Sequence, residues 1–282
     1  MKKLQNILGS IFLSLVLFSC EEEPIIIVKQ IPPLSDTSFI NPNPSAPQNK
    51  TVLFEDLTGV RCPNCPIGHT AIKEMQNANP GKVVAVAIHP GKFEFPQSFP
   101  LDGEPDFNTE FGLRIMDIVG KPNGLPYGMA DRMENSVVVA NWQNNAAKRW
   151  NLPTPVNINL EFINYNQLDS MVRFKLRIEF TEELPNEPIF FSTMITEDNI
   201  ISKQDSLFDV VKYYKHNHVL RNMPQFAQQL NTGNISTLAK GRTFIKEYET
   251  KLAAGWNWKN CNIVAFVHKN IEVLQAAEVK IK

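Results

Sequence analysis

The chain has 282 residues, enough for two ordinary domains, with 28 basic and 29 acidic side chains and a net charge of −1. Acids and bases are mixed along its length, so no electrostatic footprint for nucleic acid exists. Neither a phosphate-binding glycine loop, a dinucleotide fingerprint nor an internal repeat is present.

The N-terminus reads as an export signal. Two lysines precede an apolar run from Ile7 to Phe18, too short to span a bilayer comfortably, and Leu17-Phe18-Ser19-Cys20 resembles a lipobox. Residues 1–19 are then a lipoprotein signal peptide and Cys20 the lipid-bearing first residue of the mature chain. Glu21-Glu22-Glu23 resembles the acidic run that directs some lipoproteins to the outer face of the outer membrane. From Pro24 to Lys50 the chain is rich in Pro, Ser and Asn, as expected of an extended tether over 20–50. About 30 flexible residues would reach roughly 30 Å. Outside the reducing cytosol, disulfides persist.

Thr51 to Asp56 has strand character and Leu57-Thr58-Gly59 breaks it. Cys62 and Cys65 follow, three apart. Haem attachment is excluded because Pro66 stands where a histidine is needed, and a zinc site lacks a second close cysteine pair: Cys20 and Cys261 are alone, His69 and His89 scattered. Ile67, Ala71, Ile72 and Met75 recur at helical spacing over 63–79, with Pro63 suited to the first turn. Lys82 to Pro90 is a continuous apolar run typical of a buried parallel strand. The pattern is a βαβ unit carrying a dithiol at its tip, which in an exported chain points to redox chemistry. The helix N-terminus would favour a thiolate. Cys62 is expected to be the exposed nucleophile and Cys65 the more buried resolving thiol.

These residues resemble the thioredoxin superfamily, which implies two further site residues. Asp56 stands six residues before Cys62, where the superfamily often carries a buried acid that moves the proton on and off the second cysteine. Leu125-Pro126 stands where a cis-proline would face the dithiol and open the Leu125 backbone to a substrate polypeptide; Pro122 is the competitor. Departures are Arg61 in place of the usual tryptophan and Pro63-Asn64 between the cysteines. The Phe- and Pro-rich insert 91–108 is longer than an average connection.

Val137 to Trp150 reads as a helix closing a first domain over 51–152, and Asn151-Leu152-Pro153 as a linker. Segments 157–165, 172–180, 189–197, 262–269 and 272–281 read as strands, as does 243–252 on balance. Short strands without long helices predict an antiparallel β-sandwich, immunoglobulin- or fibronectin-like, over 153–282. The fold class is thus α/β followed by all-β. Cys261 is expected to be a buried inert thiol, with an interdomain disulfide as the alternative. His216 and His218 read as a polar loop rather than a metal pair.

The lipoprotein signal, FEDLTGVRCPNCPIGH, YKHNHVLR and the ending GWNWKNCNIVAFVHKNIEVLQAAEVKI together resemble the twenty-eight-kilodalton outer-membrane protein family. That resemblance implies a thioredoxin-like domain followed by a β-rich one, at the outer membrane. Two functional classes follow: a thiol–disulfide oxidoreductase acting on exported polypeptides through Cys62, Cys65, Asp56 and Pro126, or a surface binding protein in which Cys62–Cys65 is a structural disulfide. Neither calls for a metal or cofactor.

Overall fold

The computed structural model describes residues 31–91, 95–185, 187–232 and 238–282. Cys20 and the signal sequence lie outside the described residues. In chain order the elements are β1 (Ser35–Ile40), β2 (Val52–Leu57), α1 (Cys65–Ala78), β3 (Val83–Ile88), α2 (Glu110–Val119), β4 (Tyr127–Ala130), β5 (Glu134–Ser136) and α3 (Trp142–Trp150). Then come β6 (Val156–Asn166), β7 (Met171–Phe180), β8 (Ile189–Glu197), β9 (Ile200–Asp205), β10 (Val210–His216), β11 (Val219–Gln229), β12 (Arg242–Lys251), β13 (Cys261–Lys269) and β14 (Glu272–Lys280).

The expected βαβ unit is β2–α1–β3, with β2 and β3 parallel from Val52↔Val83 to Leu57↔Ile88. Their continuous burial follows from covering on both faces. Alternation along β2 sends Val52 and Phe54 toward α1 and α3, where they pack with Ile72, Met75 and Trp142. Leu53 and Leu57 face the other way, with Phe111 and Ile115 of α2. Asp56 shares the parity of Val52 and Phe54, which puts it on the α1 side. Gly68 lets α1 approach closely: a methyl there would lie 2.6 Å from the Trp142 ring.

The division into two separate domains at 152/153 does not describe this sheet. Strands from both halves form one eight-stranded sheet, in the order β14-β13-β8-β11-β3-β2-β4-β5. The join is β11, antiparallel to β8 and parallel to β3 through Val219↔Ala87. A sandwich does form, but from a shared sheet: β1-β12-β7-β6 make a second, four-stranded antiparallel sheet. Its Phe174, Leu176, Ile178 and Phe244 pack with Phe191, Ile263 and Val267 of β8 and β13. Along β7 alternation puts Val172, Phe174, Leu176, Ile178 and Phe180 on the inward face, and all five are buried. What it could not show is that hydrogen bonds carry β8 on to β3, because pairing partners leave no periodic trace.

The tether expectation fails over its second half. Ser35–Ile40 forms the edge strand β1, paired to β12. Beyond it Glu179 accepts hydrogen bonds from Asn41 Nδ2 (2.7 Å) and Ser45 N (3.3 Å), and Gln48 N donates to Asn157 Oδ1 (2.8 Å). Polar composition here is that of a strand edge and its side-chain anchors. Helix α1 starts at Cys65 with Pro66, not Pro63, in its first turn, and α3 starts at Trp142 after a single 3-10 turn. Among the described residues no helix is long and apolar enough to cross a membrane.

Candidate functional site: the Cys62–Cys65 disulfide and its buried acid

Cys62 and Cys65 are joined in a disulfide, their Cα atoms 5.4 Å apart. The connecting turn is held by Cys62 N–H donating to Gly59 O (3.1 Å) and Cys65 N–H to Cys62 O (3.2 Å). Gly59 is required by a close approach: a methyl there would sit 2.4 Å from Gln97 O.

The expectation of an exposed Cys62 is wrong for this oxidised state: it is 2% exposed and Cys65 0%. The cover is a hairpin, β9–β10, of which the polar-loop expectation touches only the end of β10 at His216. Gln204, fully buried, donates from Nε2 to Gly59 O (3.1 Å) and Cys62 O (3.2 Å), and Asp205 N–H donates to Val60 O (2.8 Å). On the opposite flank Arg61 N–H donates to Gln97 O (2.8 Å). The Arg61 guanidinium reaches Phe99 O (3.2 Å) and Pro100 O (2.9 Å), so its charge is held by the insert.

Asp56 is fully buried, and neither carboxyl oxygen has a hydrogen-bond partner among the described residues. Burial without donors penalises the charged form and raises its pKa well above the carboxylate range. The nearest ionisable partner is His69 of α1, Nε2 lying 3.6 Å from Asp56 Oδ2. That ring has two further contacts: Nε2 with Thr58 Oγ1 at 2.9 Å and Nδ1 with Tyr214 Oη at 2.7 Å. Burial, aided by repulsion from His216 and His218, lowers the His69 pKa to about 3, so the ring is neutral. Burial and the nearby Asp56 raise Tyr214 to about 12.

His216 ends β10 and His218 occupies the turn into β11, with φ of 58° and its backbone N–H on Asp198 Oδ1 at 2.7 Å. They do not share a face as a metal pair. His216 stacks edge-on against Phe107, 5.0 Å between centroids, and Phe107 against His89 at 5.2 Å. Among the described residues no cluster of three or more His, Cys, Asp or Glu could hold a metal ion.

Pro126 is buried directly before β4, and the Leu125–Pro126 peptide is cis. It abuts the start of α1: a methyl on Gly68 would lie 3.4 Å from Pro126 Cβ. Because β4 pairs with β2 (Leu57↔Tyr127, Asp56↔Gly128), Pro126 and Asp56 lie at the same end of the sheet. Cys261 is a free, buried thiol whose pKa burial pushes up to about 12, as expected, and not part of an interdomain disulfide. Two concavities adjoin the site. One of about 480 Å³ is lined by His69, Lys73, Asp198, Tyr214, Lys215 and His218. Another of about 460 Å³ lies between Pro63, Pro66 and Ile67 and the hairpin tip at Leu207 and Phe208.

His69 and the hairpin were the functional candidates least visible in sequence. His69 follows Cys65 by four residues on one helix face, which was signal enough to place it near the dithiol. Nothing local marks Gln204 or Tyr214, more than a hundred residues away.

The family model for the outer membrane protein Omp28 matches residues 118–282, more than half of the chain. The chain belongs to the Omp28 outer-membrane protein family. Membership places it at the bacterial outer membrane. The dithiol, Asp56 and His69 precede the matched segment. Among solved structures, HBP35 of Porphyromonas gingivalis is 18% identical with a TM-score of 0.65, over 83% of this chain and 76% of that one. Protein AGR_C_4864 from Agrobacterium tumefaciens is 12% identical with a TM-score of 0.53, over 83% and 96%. At such identities these likenesses concern the fold alone. No curated protein matches.

Proposed function

We propose that this Omp28-family chain is a surface-exposed lipoprotein, anchored through Cys20, whose thioredoxin-like β2–α1–β3 portion exchanges disulfides with exported polypeptides. The observation that carries the reading is Asp56. A buried carboxyl without a hydrogen bond is a cost to folding that packing alone does not explain. Within 3.6 Å of His69, one turn on from Cys65 along α1, it has a use. When Cys65 attacks the mixed disulfide on Cys62, its thiol must lose a proton, and a carboxylate of raised pKa accepts it readily.

In this reading Cys62 at the N-terminal side of α1 is the nucleophile, Cys65 resolves, Asp56 handles the proton, and Pro126 borders the surface where substrate lies. The hairpin must swing away from Gly59 and Cys62 for the nucleophile to meet a polypeptide. The test is a pair of variants expressed in the exported compartment. Cys65→Ser should accumulate mixed disulfides with exported proteins, resolved on a reducing gel, and Cys62→Ser should accumulate none.

A second reading is favoured by one observation. Cys62 is 2% exposed and its carbonyl is clamped by Gln204, as suits a structural disulfide in a binding protein. It predicts equal destabilisation in both variants and no trapped partner.

A further inference from the structure

We propose that His69 and Tyr214 form the proton route between the buried Asp56 and solvent, making them positioning residues for exchange at Cys62–Cys65. The inference rests on the exchange reading above.

Asp56 is sealed: it is 0% exposed and hydrogen-bonded to nothing described. A carboxyl that takes the Cys65 proton in one half-reaction must release it before the next, and no oxygen of Asp56 reaches water. His69 stands between. Its Nε2 lies 3.6 Å from Asp56 Oδ2 and its Nδ1 2.7 Å from Tyr214 Oη. Both residues line the 480 Å³ cavity. A neutral imidazole moves a proton by changing the nitrogen that holds it, receiving on one side and releasing on the other. The gap of 3.6 Å must close by about half an ångström for transfer, as resting sites often require. Thr58 Oγ1, 2.9 Å from Nε2, fixes the ring plane.

The step balances with a simple dithiol as reductant. Its thiolate attacks Cys62 Sγ, the Cys62–Cys65 bond breaks, and Cys65 leaves as thiolate. Cys65 takes the Asp56 proton. Asp56 regains one from His69 Nε2, His69 Nδ1 one from Tyr214 Oη, and Tyr214 one from cavity water. The second thiol of the reductant, as thiolate, then closes its own disulfide and releases the Cys62 thiolate. Two electrons pass from reductant to protein. Groups facing His69 besides Asp56 are Tyr214 and His216 of β10, His218 in the following turn and His89 beyond β3; Lys73 follows on α1.

The experiment measures the rate of reduction of the folded protein by dithiothreitol against pH, with acid quenching and mass detection of free thiols. His69→Ala should slow reduction and reoxidation alike by about tenfold or more, while the equilibrium with dithiothreitol moves less than twofold. Imidazole, entering by the cavity, should restore much of the rate. Tyr214→Phe, which keeps the ring packing, should slow both directions and flatten the pH profile. Rates indifferent to His69 at every pH overturn the route, as does slowing without imidazole rescue and with an unchanged profile. If protein substrates are not turned over while the His69-dependent kinetics persist, the exchange reading fails and the route stands. A disulfide that dithiothreitol leaves intact in the folded protein overturns both.

Discussion

The side-chain amide of Gln204 donates to the carbonyl oxygen of Cys62 at 3.2 Å, although 142 residues separate them in the chain. That bond, with its companions to Gly59 and Asp205, makes the β9–β10 hairpin the cover of the dithiol. Access to Cys62 is therefore a property of a distant segment.

Replacing Gln204 by Ala removes the donor from three carbonyls at once. Gly59 O and Cys62 O keep their turn bonds from Cys62 N–H and Cys65 N–H, so the expected loss is about 0.5–1.5 kcal/mol, that of a net hydrogen bond. In the reduced protein Cys62 should alkylate faster than in wild type. Urea unfolding and iodoacetamide labelling followed by peptide mass mapping check the two halves; labelling at the wild-type rate would show that the hairpin does not control access.

Asp56 sets a pH dependence of known sign. Its folded pKa is raised from an ordinary value of 3.8, so above that pH the native state holds more protons than the unfolded one and stability declines as pH rises toward the folded pKa. Each unit of displacement corresponds to about 1.4 kcal/mol. Asp56→Asn, uncharged throughout, should stabilise the fold at pH 7 and be neutral at pH 3, while slowing exchange. Thermal melts across pH decide it, and a variant destabilised at pH 7 would contradict the assignment.

Glu55 faces the other side of β2 and is paired bidentately with Arg132, both contacts at 2.7 Å and both residues buried. Arg132→Met should cost about 3–5 kcal/mol by stranding the carboxylate. Adding Glu55→Leu should recover a large part of that loss, which denaturant titration of the single and double variants will show.

At the N-terminus, Cys20→Ala should release the chain from membranes and abolish metabolic labelling with fatty acid. Label persisting on that variant would place the anchor elsewhere.

Much of this could be read in the residues themselves. β2, α1 and β3 followed from an apolar run, helical spacing and a second apolar run. Cys62 and Cys65 followed from their spacing, Asp56 and Pro126 from the resemblance to the thioredoxin superfamily, and the structure brings Asp56 and Pro126 to one end of the sheet. The strands β6, β7 and β12 followed from alternation. What escaped was set by long-range pairing. β1 lacks apolar alternation because it is an edge whose side chains are mostly exposed. YYKHNHVLRNM looks like a polar loop because β10 faces solvent and β11 carries register shifts beside β8. The shared sheet and the buried state of Cys62 both follow from where those two strands go, and no local pattern encodes it.

The central claim is that Cys62–Cys65 cycles between disulfide and dithiol, and the reduction potential of that couple tests it most directly. Equilibration of the full mature protein against dithiothreitol redox buffers at pH 7 gives the value. Exchange predicts a potential in the range of about −270 to −120 mV spanned by thiol–disulfide exchange proteins, whereas a value below about −300 mV, as structural disulfides show, would contradict it.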